Sequence, residues 1–217
     1  MQMVIRLLFC LISVVASAAT MSAQESQGSQ ESQQSQKPVA PASDAKGSID
    51  WPSPDGKFAF LAVSDEHLHT IDLIDKTSQK KLQRIGEEDS SQASWHVLWA
   101  PDSNRFALMT RLGHPIQGVD IYSRADGTYQ KIDLPDLPEA NIPERLKHGR
   151  KFPHFANLNW QEAREWKKDG SLVVTIDTTV DGEGRSITAT RTIVLGFDRA
   201  GKARIVESTI KYKTETD

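Results

Sequence analysis

The densest chemistry in the chain lies between Glu144 and Phe155, where four cations, Arg145, Lys147, Arg150 and Lys151, alternate with His148, His154, Phe152 and Phe155. Cations beside aromatic rings suit an acidic protein partner, an anionic lipid head group or a polyanionic glycan. The plainer alternative is a solvated loop whose two phenylalanines merely plug it to the structure beneath. Long loops on a rigid scaffold are where binding residues collect, so Arg145, Lys147, Arg150, Lys151, Phe152 and Phe155 are the expected binding residues.

Other constellations are weaker. His67 and His69 stand two apart in a strand-like stretch and share a face with Asp65, which is half of a metal site. The missing ligands would have to come from His96, His114 or His154, and nothing in the spacing selects among them. Two strand histidines without metal are the expected state. Asp177, Asp181 and Glu183 surround Gly182 and Gly184, but the spacing fits no standard calcium loop, and Asp and Gly belong in a hairpin turn. Asp50, Asp65, Glu66, Asp120 and Asp177 offer carboxylates without any spacing that singles out a catalytic pair. No G-x-S-x-G occurs. Neither a catalytic residue nor a cofactor is therefore expected. Trp51, Trp99 and Trp166 suit a sugar-stacking platform or, at repeated positions beside turns, packing between repeats.

The elements that must carry these residues read as strands. From Ser94 to Leu134 run four short strands joined by three turns, the tight ones at Pro101-Asp102-Ser103-Asn104 and Ala125-Asp126-Gly127-Thr128. Before it, the turn Trp51-Pro52-Ser53-Pro54-Asp55-Gly56 leads into Lys57 to Val63, then Leu68 to Ile74, a turn at Asp75-Lys76-Thr77-Ser78, and a more polar strand Lys81 to Ile85. After it come Leu172 to Val180, Ser186 to Phe197 and Ala203 to Lys213. Asp55-Gly56-Lys57-Phe58-Ala59-Phe60-Leu61 aligns with Asp102 to Leu108 at a spacing of 47 if one residue is inserted, and Asp169 lies 67 beyond Asp102. Repeats of this kind bury together a core that none could bury alone. Units are expected at about 49–86, 94–134 and 160–213. Prolines 135, 138, 143 and 153 interrupt the rhythm, so 135–159 should hold no interior strand and at most one helical turn near Ile142 to Leu146.

Arg6, an apolar run from Leu7 to Val15 and the small residues Ala16-Ser17-Ala18 form the three regions of a secretory leader, cut after Ala18 or Ala23. That run is too short to span a bilayer, so no membrane span is expected once 1–23 is removed. Residues 24–48, rich in Gln, Ser, Glu, Pro and Ala, read as a disordered tether, and 49–217 as a single domain. The only cysteine, Cys10, falls within the leader and does not follow a small residue, so neither a lipid anchor nor a disulfide is expected in the exported protein. Losing Arg6 takes the net charge from -3 to -4, the wrong sign for a nucleic-acid binder.

The phrase W-A-P-D-S-N-R-F-A-L, with W-P-S-P-D-G-K-F-A-F-L and W-K-K-D-G-S-L-V-V, resembles the WD-like propeller repeat of TolB-type periplasmic proteins. The likeness covers Ile49 to Leu134 closely and Trp160 to Lys213 loosely. It implies an all-β fold of three or four blade-like antiparallel sheets, propeller-like or an open stack whose free edges a second copy of the chain can pair. It also implies protein partners. The expected function is an exported, non-enzymatic interaction module of the cell envelope or extracellular space. The alternative is a propeller-like ligand-binding protein or hydrolase acting on an envelope polymer or glycan.

Overall fold

A computed structural model describes residues 46–65, 68–89, 92–113, 115–182 and 184–216. The leader, its cleavage sites, most of the tether, Glu66, His67, His114 and Glu183 lie outside the described residues. The described chain is all-β: three antiparallel four-stranded sheets in an open, blade-like stack, not closed into a barrel. Each sheet takes its strands in chain order, as short turns between antiparallel strands require. The first holds β1 (Lys46–Asp50), β2 (Phe58–Ser64), β3 (His69–Asp75) and β4 (Lys81–Glu88); the second β5 (Ala93–Trp99), β6 (Arg105–Leu112), β7 (Gln117–Ala125) and β8 (Thr128–Lys131). The third holds β9 (His154–Trp166), β10 (Leu172–Gly182), β11 (Arg185–Phe197) and β12 (Ala203–Thr216), and α1 (Glu144–Lys147) is the one helix among the described residues.

Several strand boundaries differ from the sequence reading, and two of them redraw the segments between the units. Strand β1 begins at Lys46, inside the stretch expected as tether, because Gly47 and Ser48 are recruited by pairing with Val63 and Ala62. Strand β9 begins at His154, so the irregular stretch ends at Pro153 rather than Asn159. Proline cannot donate to a ladder, but a strand can start directly after one, and β9 is an edge strand whose pairing with β10 shifts register three times.

The repeat is built on one turn. Ser53 N–H donates to Phe58 O and Gly56 N–H to Ser53 O; Ala100 donates to Arg105 and Ser103 to Ala100; Lys167 donates to Ser171 and Gly170 to Lys167. Gly56, Ser103 and Gly170 hold the same place in the turn, with φ of 73, 57 and 79°. The turn sets Phe58 opposite Arg105, not Phe106. The second copy therefore has no inserted residue, and it is the third that is one shorter. Because successive side chains alternate between faces, this register points Phe58 and Phe60 forward onto the second sheet and Phe106 back onto the first. The phenylalanines meet, with the Phe60 and Phe106 rings 5.1 Å apart edge to face.

Two cores result. Between the first and second sheets lie Phe58, Phe60, Ile71, Leu73, Val97, Phe106, Leu108, Tyr122 and Tyr129. Between the second and third lie Ala107, Met109, Val119, Ile121, Leu172, Val174, Ile176, Ile193 and Leu195, among others. The repeated tryptophans tie neighbouring repeats together: Trp99 Nε1 donates to Trp51 O at 2.8 Å and Trp166 Nε1 to Leu98 O at 3.0 Å.

Candidate functional site

The segment after β8 first runs extended over the second core, where Ile132, Leu134, Leu137 and Ile142 pack and Ala140 is fully buried. It is held by Ala140 N–H on Asn159 Oδ1 at 3.2 Å and by Arg191 Nε on Glu139 O at 2.9 Å. Pro143 then starts the single turn of α1, which His148 and Gly149 end with φ of 50 and 72°. The chain crosses the end of β10 at Gly182. A Cβ there would strike Lys151 O and lie 3.0 Å from Phe152 Cα, so only glycine lets the strand end pass beneath the crossing. From Pro153 it enters β9.

This path brings three of the six expected residues together. Lys147, Phe152 and Phe155 line one cavity of about 400 Å³, with Glu139, Asn141, Ile142, Leu158, Asn159, Thr178 and Val180 completing the wall. Lys147 Nζ pairs with Glu144 at 2.6 Å. The floor is a polar knot in which Thr178 Oγ1 accepts Asn159 N–H and donates to Asn159 Oδ1, both at 3.2 Å. Asn159 sits at φ 47° beside the bulge between Asp177 and Thr179, which turns its amide toward Ala140.

Arg145, Arg150 and Lys151 do not line the cavity. They are exposed around α1 and its exit, with no ion-pair partner among the described residues. Phe155 corrects the plug reading. It is 51% exposed, and the work of plugging falls to the aliphatic residues 132–142. Leu158 is 38% exposed on the same strand. Its N–H donates to Pro115 O, which brings the β6–β7 turn and its exposed Ile116 alongside. An apolar rim of Phe155, Leu158 and Ile116 thus adjoins a basic surface without ion-pair partners among the described residues. Spacing gave no hint of Thr178 or Val180, which arrive through the register of β10; the available signal was the even-numbered series Leu172 to Val180, buried along one face.

The other candidates are dispersed. His69 Nδ1 is 2.9 Å from Ser64 Oγ, His96 packs edge-on to Trp51, and His154 is exposed opposite Asp181. No group of three metal-ligating side chains occurs among the described residues. Asp50, Asp120 and Asp177 lie one on each sheet, so they do not form a pair. Asp120 is bound to Lys131 at 2.8 Å, and Asp65 Oδ1 accepts Leu68 N–H. The tryptophans Trp51, Trp99 and Trp166 pack at the sheet interfaces rather than on an open platform.

No known family model matches the chain, and no curated protein matches it.

Proposed function

We propose that the protein is an exported interaction module, a propeller-like stack of the TolB-type repeat, that docks a protein partner at the surface formed by α1, the start of β9 and the β6–β7 turn. One observation carries this reading: Phe155 and Leu158, exposed on the wall of a preformed cavity, and the exposed Ile116 alongside them are large and apolar, beside three cations with no ion-pair partner among the described residues. Exposed apolar groups grouped in this way mark interaction sites, and a central apolar anchor with a charged rim is how stable interfaces are built. The complementary partner segment presents an apolar side chain to the cavity, flanked by Asp or Glu facing Arg145, Arg150 and Lys151. Export is supported by the leader-like residues 6–18 and the absence of cysteine beyond Cys10. No described helix is long and apolar enough to cross a membrane.

Selection of displayed peptides against the protein tests the docking reading. Peptides with an apolar residue between acidic ones should be enriched. Their affinity should fall about tenfold or more, on the order of 1.4 kcal/mol, in Phe155→Ser and in the double variant Arg150→Glu, Lys151→Glu. Both variants change exposed side chains and should keep the wild-type melting temperature. Enrichment of unrelated sequences, or binding that both variants leave intact, removes the proposal.

A further inference from the structure

At the opposite margin of the third sheet, where the repeat turns gather, a second cavity of about 660 Å³ opens between Arg105 at the start of β6 and the turn Asp198-Arg199-Ala200-Gly201-Lys202 between β11 and β12. Arg105 is its organising residue. The guanidinium carbon lies 5.2 Å over the Trp166 ring and 4.7 Å over the Phe197 ring, which fixes the plane of the fork. Gly170, at φ 79°, supplies the space: a Cβ there would come within 2.8 Å of Nη2. Despite this fixed position, the guanidinium has neither an ion pair nor a hydrogen bond to any described residue. Five N–H donors, held in one plane, are left without an acceptor among the described residues.

The surroundings add positive charge and little to cancel it. Arg199 and Lys202 line the cavity and are unpaired among the described residues. Lys131 and Arg124 border it too, but their head groups are engaged elsewhere, on Asp120 and over the Phe58 ring. Of the two carboxylates in the lining, Asp198 Oδ1 accepts Ala200 N–H and Lys202 N–H, both at 2.9 Å, and Asp133 is exposed. Ser123 and Gln130 contribute neutral hydrogen-bonding groups to the wall.

We propose that this cleft binds a sugar carrying a phosphate or sulfate monoester, the tetrahedral anion seated on the Arg105 fork between Arg199 and Lys202. A planar guanidinium meets two oxygens of such a group at once, and three cations suit the double charge of a phosphate monoester better than the single charge of a sulfate monoester or a carboxylate. The cavity exceeds the volume of the anion, and Ser123 and Gln130 suit the hydroxyls of the attached ring. The site lies apart from the α1 surface and does not depend on the docking reading.

Titration calorimetry of the full chain with glucose 1-phosphate, glucose 6-sulfate, inorganic phosphate and glucose tests it. The esters should bind saturably, inorganic phosphate more weakly, and glucose not at all. Binding should weaken between 50 and 200 mM salt, as charge pairing in a partly open cleft requires. The ratio of the two ester affinities tells phosphate from sulfate as the preferred group. Arg105→Gln should lower ester affinity at least tenfold and Arg105→Lys less, since lysine keeps the charge without the fork. If Arg105→Gln fails to fold, the turn variant Arg199→Gln, Lys202→Gln decides, with a loss of fivefold or more expected. Absence of saturable ester binding, binding equal to that of glucose, or affinity unchanged in the folded variants overturns the proposal.

Discussion

The two sheet interfaces are made from the same repeat and held by the same tryptophan latch, yet one is aromatic and the other aliphatic. Between the first and second sheets Phe106 touches four rings, at centroid distances of 5.1 Å to Phe60, 5.1 Å to Trp99, 4.8 Å to Tyr122 and 5.3 Å to Tyr129. Between the second and third the buried residues are Ala, Val, Ile, Leu and Met, with Trp166 at the margin. The second interface is further sealed by the chain from Ile132 to Ile142, whereas among the described residues no connecting segment of that length covers the first. Rings enforce orientation through edge-to-face and stacked contacts; branched aliphatics fill volume with less angular demand. The first interface should therefore be the more specific, and the second the more tolerant. Because the first and third sheets share neither core cluster, each interface can fail alone, as in other stacked repeats.

The largest effect expected is from truncating Phe106. Phe106→Ala should cost about 3–5 kcal/mol, and Ile193→Ala in the other core about 2–5 kcal/mol. The conservative pair is more telling. Ile193→Leu should cost less than about 1.5 kcal/mol, as volume-conserving swaps do. Phe106→Leu should cost more, because each lost ring pair contributes about 0.5–1.5 kcal/mol beyond its area. Denaturant unfolding gives the energies. Hydrogen exchange gives the location: in Phe106→Leu, protection should drop in β2 and β3 while β10 and β11 stay protected. Equal losses across all three sheets would mean that the stack unfolds as one unit.

Alkali should separate the interfaces next. Tyr129 is buried in the aromatic core, its hydroxyl donating to Ser103 O at 2.6 Å, and burial pushes its pKa up to about 12. A phenol whose pKa is raised on folding contributes stability that is full below the unfolded value near 10 and is lost as pH rises through 12. The loss should reach about 2–3 kcal/mol. It should appear in the first interface and be smaller in Tyr129→Phe, whose stability is lower at neutral pH and whose remaining alkaline loss comes from Tyr122, a phenol also raised by burial in that core. At the acid end the repeat turns of the first and third sheets should behave alike. Hydrogen bonds from Ser53 and from Ser171 hold Asp55 and Asp169 below the usual carboxylate range, so both repeat turns lose stability as pH falls below about 3.8.

Much of this contrast was legible in the residues, and what was not has physical reasons. The four strands from Ser94 to Leu134 could be placed because each turn is chemically local: Asp102 Oδ1 accepts Asn104 N–H, and Gly127 takes the positive φ. The direction in which Phe58 and Phe106 point could not. Moving one residue in register flips a strand's faces, and alignment by residue type matched the two phenylalanines where the turn matches Phe58 with Arg105. Strand β1 was missed because Gly47 and Ser48 have little strand preference of their own and are ordered by β2. At the candidate site, charge and aromatic content found Lys147, Phe152 and Phe155. They could not show that Arg145, Arg150 and Lys151 stand outside the cavity lining, or that Leu158, Asn159 and Thr178 build its wall, since those join through a bulged ladder.

A finer difference lies in two glutamines that clamp neighbouring sheets. Gln83 on β4 gives Nε2 to Tyr129 O at 2.6 Å and accepts Tyr129 N–H at 3.0 Å, so one side chain satisfies both backbone groups of a buried residue. Gln161 on β9 accepts Val119 N–H at 3.3 Å, while its own carbonyl accepts Gln117 Nε2 at 2.8 Å. Gln83→Ala strands a donor and an acceptor and should cost about 1–3 kcal/mol. Gln161→Ala removes one longer bond and keeps the Gln117 contact, so its cost should fall at the low end, near 1 kcal/mol.

The smallest contrast expected is between the tryptophan latches. Trp99 and Trp166 each donate one indole N–H to a carbonyl of the preceding repeat, at 2.8 and 3.0 Å. A double-mutant comparison can isolate that bond from the packing around it. Trp99→Phe loses the bond within the ring cluster, and Trp166→Phe loses it beside Phe197 and Arg105. Phenylalanine keeps most of the ring, so each change should cost about 0.5–1.5 kcal/mol, the net worth of one hydrogen bond. If the latch is a property of the repeat, the two costs should agree within about 0.5 kcal/mol; because Trp166 bonds the carbonyl directly before Trp99, the double variant measures whether the latches are coupled, and a cost equal to their sum means that they act independently. A Trp99→Phe cost well above that of Trp166→Phe would place the excess in the aromatic cluster, and the interfaces would then differ in their latches as well as their cores.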